Sequence, residues 1–144
     1  MTWDRAVKAL AAAAGAVAGL FGAWNTMLTI LVAAMTADYI SGWIVAWCGK
    51  SPKTENGGLS SKIGFIGIAK KAFMMILVLL ATLLDRAIGG DAAMFQSSLV
   101  LYYIANEGLS ILENAGTLGV PFPARLRGAL EELRDGKDGA GGAG

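Results

Sequence analysis

The stretch MLTILVAAMTADYISGWIVAWC, Met27 to Cys48, decides the fold: it is long enough to cross a bilayer as one helix and holds a single charge, Asp38, near its middle. One crossing takes about 20 apolar residues, and a carboxylate at mid-depth costs roughly 2.5–3.5 kcal/mol on insertion scales. Two explanations are open for such a residue. It faces a bundle interior or water-filled cavity and serves a function, or it is protonated or hydrogen-bonded to a neighbouring helix and serves packing.

Working outward, the charge-free run from Ala9 to Ala37 has 29 residues, and continuing past Asp38 to Cys48 makes 40. That length suits two crossings, with a break near Gly22-Ala23-Trp24-Asn25-Thr26, where Gly and Asn favour a turn and Trp24 suits the headgroup belt. Helices are expected over about 7–22 and 27–48. Ala and Gly dominate the first and add little transfer free energy, so spanning the membrane and lying on its surface are both open. Arg5 and Lys8, ahead of the Ala16-Val17-Ala18 triplet, imitate a secretory signal; the apolar sequence continues beyond any cut there, which favours a retained helix.

A third helix is expected over about 63–84, with Lys70 and Lys71 reaching toward the headgroups, and a fourth over about 92–112, carrying Glu107. Ser60 and Ser61 are candidate N-caps for a short interfacial helix feeding the third segment. With four crossings and both termini cytoplasmic, Arg86 alone of the 12 Lys and Arg residues falls outside. That distribution obeys the positive-inside rule. The expected fold class is therefore all-α: a small polytopic integral membrane protein whose membrane domain covers residues 1–134. Residues 135–144 (DGKDGAGGAG) have the composition of a disordered Gly-rich tail.

Composition agrees. Of 144 residues, 55% are apolar and 16% charged, and the mean hydropathy is positive. The net charge of +1 and the dispersed basic residues give no nucleic-acid surface. There is no histidine and one cysteine, Cys48, so Cys/His and Ser/His dyads and multi-cysteine zinc sites are excluded. Neither catalysis, a metal nor a cofactor is expected.

Helical spacing then sorts residues onto faces. Ala34, Asp38, Gly42 and Ala46 recur every four residues, a stripe of small side chains with the carboxylate set in it. Ala11, Gly15, Gly19 and Ala23 form a second stripe, whose Gly15-to-Gly19 unit serves packing within one chain or self-association between chains. On the fourth helix Glu107, Ser110 and Asn114 share a polar face, and Lys70 or Lys71 is placed to pair with Glu107.

The succession TADYISGWIVAW (Thr36 to Trp47), LSSKIGFIGIAKKAF (Leu59 to Phe73), LLDRAIG (Leu83 to Gly89) and ANEGLSILENAGTLGVPFPARL (Ala105 to Leu126) resembles the phage holin family that includes the clostridial toxin-secretion holins. The resemblance runs from about Leu28 to Glu132, with the motifs in family order. The family's intramembrane acid and glycine match Asp38 and Gly42, its serine-lysine-glycine loop Ser61, Lys62 and Gly64, and its helix-opening lysine Lys71. Its helix-closing acid matches Asp85, and its final motif Glu107, Glu113, Asn114, Gly119, Pro121 and Pro123. The extended Ala/Gly N-terminus departs from the pattern.

The resemblance implies a homo-oligomer in the lipid bilayer of the bacterial inner membrane that opens lesions for an endolysin. Asp38, Lys70, Lys71, Glu107 and Asn114 would then be polar intramembrane or lesion-lining positions, and Gly15, Gly19, Ala34, Gly42 and Ala46 helix-packing positions. A small proton- or ion-linked channel or transporter would also use Asp38 and Glu107. A non-lytic scaffold would use the helices for packing alone.

Overall fold

The computed structural model describes residues 2–90 and 93–136. Among them every regular element is helical, in the order α1 (Trp3–Leu20), α2 (Thr26–Trp47), α3 (Ser61–Ile88), α4 (Met94–Thr117) and α5 (Ala124–Asp135). The helices at 7–22, 27–48, 63–84 and 92–112 are each found, with shifted ends. Ala92, the expected start of the fourth, lies outside the described residues, as do residues 137–144 of the expected tail, whereas Asp135 ends α5 and Gly136 caps it, which corrects the tail's start.

Local chemistry sets each boundary. The break between α1 and α2 falls where Gly22 takes a left-handed φ of 79° and the Asn25 side chain accepts from the Leu28 amide at 3.0 Å. Of the two candidate serine caps, Ser60 accepts from the Ile63 amide at 3.3 Å and starts α3. The short interfacial helix expected ahead of the third segment is corrected here: residues 61–88 form one uninterrupted helix, about 42 Å long. No proline or capping residue interrupts its ladder.

The N-terminus of α4 is capped from another helix. Asp85, near the end of α3, accepts from the Phe95 amide at 2.9 Å and the Gln96 amide at 3.0 Å, satisfying two donors that a helix start leaves unpaired. The acid at the end of one helix thus begins the next.

No apolar run announces α5 in the sequence. Gly119 (φ 79°) and Pro121 turn the chain after α4, and α5 then returns along it. α4 is the central column, packed most extensively on α2 and then on α5 and α3. The apolar core gathers Leu28, Leu31 and Met35 of α2, Val78 of α3, Val100 and Tyr103 of α4, and Phe21 just past the end of α1. By contrast α1 has no buried residue, and its end is held by Phe21 in the core and by Arg86 Nη2, which donates to the Gly19 carbonyl at 3.4 Å. α2 and α3 are long and apolar enough to cross a membrane. The outer side of α3 exposes Phe65, Phe73, Ile76 and Leu80.

Candidate functional site: a buried ion cluster joining three helices

Lys71 lies ten residues into α3, Asp38 twelve into α2 and Glu107 thirteen into α4, and the packing brings them to one level. Lys71 Nζ donates to Asp38 Oδ2 at 2.7 Å and to Glu107 Oε2 at 2.5 Å. All three side chains are largely withdrawn from the surface, and Glu107 as a residue retains 4% of its accessible area. One ammonium serves two carboxylates.

Asn114 extends the cluster by two turns of α4. Its Nδ2 donates to Ser41 Oγ at 2.8 Å and lies 3.4 Å from Asp38 Oδ1, while the Ser41 hydroxyl donates to the Asp38 carbonyl at 2.9 Å. Beside it the Tyr39 hydroxyl donates to the Gly64 carbonyl at 3.3 Å, and the Tyr39 ring rests against Gly67. Glycine at 64 and 67 leaves the room that the ring occupies. Among the described residues, Thr54 Oγ1 is the one buried polar side-chain atom without a partner, so the cluster is internally satisfied.

Of the sequence-derived positions, Asp38, Lys71, Glu107 and Asn114 come together, whereas Lys70 is exposed on another side of α3. Between the two lysines offered as partners of Glu107, the structure selects Lys71. Ala34, Gly42 and Ala46 are half-buried, and Gly42 faces Asn114 of α4 in the same chain. At Gly15 and Gly19 no atom lies within 4 Å of where a Cβ would stand, so that stripe is uncovered. Replacing Gly42 with leucine is expected to displace Asn114 from Ser41 and cost about 1–3 kcal/mol. A thermal melt of the purified protein in mild detergent would measure the loss.

A second polar node was not foreseen in the sequence. Gln96 Nε2 donates to the Phe21 carbonyl at 2.8 Å and to Thr82 Oγ1 at 2.7 Å, and its Oε1 accepts from Asn25 Nδ2 at 3.2 Å. A lone glutamine near the start of an apolar segment gives no sign of its partners. Register relates the nodes: Lys71 faces Glu107 and, eleven residues farther along α3, Thr82 faces Gln96, eleven residues earlier on α4. The antiparallel pair thus carries two polar layers about 16 Å apart.

The cluster can do two things chemically. It holds three helices in register through charge-assisted bonds, and it keeps polar atoms of α2 and α4 covered for as long as α3 stays in place. Among the described residues no group of three His, Cys, Asp or Glu side chains is placed to hold a metal.

Comparison with known proteins places the chain in a family. Residues 15–135 match the bacteriophage holin family. An uncharacterised 14.9 kDa protein from the nagH 3′ region of Clostridium perfringens is 40% identical over 118 residues, covering 82% of this chain and 84% of that one. An uncharacterised protein of Halalkalibacterium halodurans is 35% identical over 139 residues, covering 93% of each. A probable holin of Bacillus phage phi105 is 32% identical over 111 residues, covering 77% of this chain and 76% of its own. No solved structure matches. The matched span contains Asp38, Lys71, Glu107, Gln96 and all of α2 through α5, and on that extent of similarity the chain belongs to the bacteriophage holin family.

Proposed function

We propose that this protein is a holin: it accumulates in the cytoplasmic membrane of the host bacterium, assembles with copies of itself and opens lesions through which an endolysin reaches the cell wall. Membership of the family over residues 15–135 is the observation that carries the reading. Two further features support it. α2 and α3 are suited to a bilayer, and the polar atoms of Asp38, Ser41, Glu107 and Asn114 are gathered at mid-height, where they would line water once helices part.

In this reading α2, α3 and α4 span the membrane, α1 spans or lies on its surface, and the 49–60 loop and C-terminus are cytoplasmic, in keeping with the positive-inside count. The uncovered Gly15/Gly19 stripe of α1 is the small-residue surface offered to a second protomer. Ala34, Gly42 and Ala46 serve packing inside the protomer. No residue is catalytic; the Lys71 cluster holds α2, α3 and α4 in register within the protomer.

Induced expression in a bacterium is expected to allow near-normal growth and then a sudden collapse of membrane potential. Co-expression with an endolysin lacking its own export signal should convert that collapse into lysis within minutes. A selective transporter would shift ion balance gradually and release no folded enzyme. Membrane accumulation with a sustained potential and no enzyme release, repeated in a phage deprived of its own holin, overturns the proposal.

A further inference from the structure

α5 carries six charges in twelve residues: Arg125, Arg127, Glu131, Glu132, Arg134 and Asp135. Yet it is seated deep along α4. Any Cβ at position 108 would come within 3.0 Å of both Leu130 Cδ atoms, so the bare backbone of Gly108 forms the notch that receives Leu130. Gly108 adjoins Glu107 of the ion cluster and stands nine residues from the Thr117 end of α4, about 14 Å down the helix.

At that depth a lipid neighbour and this helix are incompatible. The Arg127 and Glu131 side chains each keep 43% exposure and Arg134 keeps 38%, so docking does not hide their charges. Charges facing hydrocarbon are strongly disfavoured. The outer side of α3, with Phe65, Phe73, Ile76 and Leu80 exposed, has the opposite chemistry and suits lipid. The bundle therefore has one side fitted to lipid and one fitted to water.

We propose that α5 is a strap that seats on α4 only when that side faces water, so its docking marks the lumen side of the open lesion; this rests on the holin reading above. Before opening, α5 lies at the cytoplasmic surface, with the Leu126, Leu130 and Leu133 stripe turned to the headgroups. The 118–123 link, which contains Gly119, allows both positions. When protomers gather and water enters beside α4, Leu130 drops into the Gly108 notch and the charges of α5 line the water path.

The test places cysteines at both sides of the notch, Gly108→Cys with Leu130→Cys, in the full-length chain carrying Cys48→Ser. Cells expressing it receive brief oxidation at intervals while a potential-sensitive dye reports the onset of depolarisation. The intramolecular crosslink is expected to be scarce before onset and at least five-fold more abundant after it. Equal yields before and after, or no crosslink in membranes at any time, overturn the strap. A second variant, Gly108→Leu, fills the notch without a thiol. It should accumulate normally but open several-fold later or release less endolysin, and wild-type timing and release would overturn the strap independently. If the unmodified chain never depolarises the cell, the dye trace shows the holin reading itself to have failed before any crosslink is read.

Discussion

Replacing Lys71 with methionine is expected to destabilise the bundle by about 3–5 kcal/mol, because it removes the one cation between two buried carboxylates and leaves their charges uncompensated. Asp38 and Glu107 then confront each other across α2 and α4 with nothing at the 2.7 and 2.5 Å positions where Lys71 Nζ now stands. The chain can respond by protonating a carboxyl or by letting α3 move away, and either response loosens the bundle. A marked fall in detergent melting temperature is expected, with earlier depolarisation in cells. Neutralising all three positions at once, as Asp38→Asn, Lys71→Met and Glu107→Gln, should recover much of the stability, since a matched uncharged set leaves no orphan charge. If Lys71→Met alone melts like the wild type, the cluster contributes nothing to holding the helices together.

The second large effect is expected at Gln96. Leucine there would leave the Phe21 carbonyl and the Asn25 amide nitrogen without the partners they have at 2.8 and 3.2 Å, while the Thr82 hydroxyl keeps its bond to the Val78 carbonyl at 2.9 Å. Phe21 is buried while Asn25 is exposed to water, so the orphaned carbonyl sets the loss, at about 1–3 kcal/mol. Because Gln96 ties the α1–α2 junction to α3 and α4, the damage should be local at first. Limited proteolysis would show it as faster cleavage near Gly22 and Ala23, and unchanged cleavage there would refute the assignment.

Much of the fold was legible because its signals are periodic or compositional. The Asn25 cap, the break beside Gly22 and the long apolar runs follow from residue chemistry that acts over a few positions. The ion cluster was half-legible: intramembrane acids are costly enough to demand a partner, which pointed to Asp38, Glu107 and a lysine. Choosing Lys71 over Lys70 required the rotation of α3, which neighbouring identical residues do not disclose. The Gln96 node and the cross-helix cap by Asp85 depend on contacts 10 to 75 residues apart in sequence. α5 escaped notice because it is short and charged; its place depends on the Gly108 notch in a different helix.

The central position of α4 bears on how the protein is made. It is the most polar of the three long helices in the bundle, and it is shielded by α2, α3 and α5. During synthesis α2 and α3 leave the ribosome before α4, and both are long and apolar enough to cross a membrane. Asp38 and Lys71 can pair before Glu107 exists as part of the chain. α4 therefore arrives at a site its predecessors have prepared, with an ammonium waiting for its carboxylate and Thr82 waiting for Gln96. In the holin reading proposed above, α4 thus completes a structure whose first parts are already in the membrane, and a truncation before Met94 would strand Lys71 with half of its counter-charge.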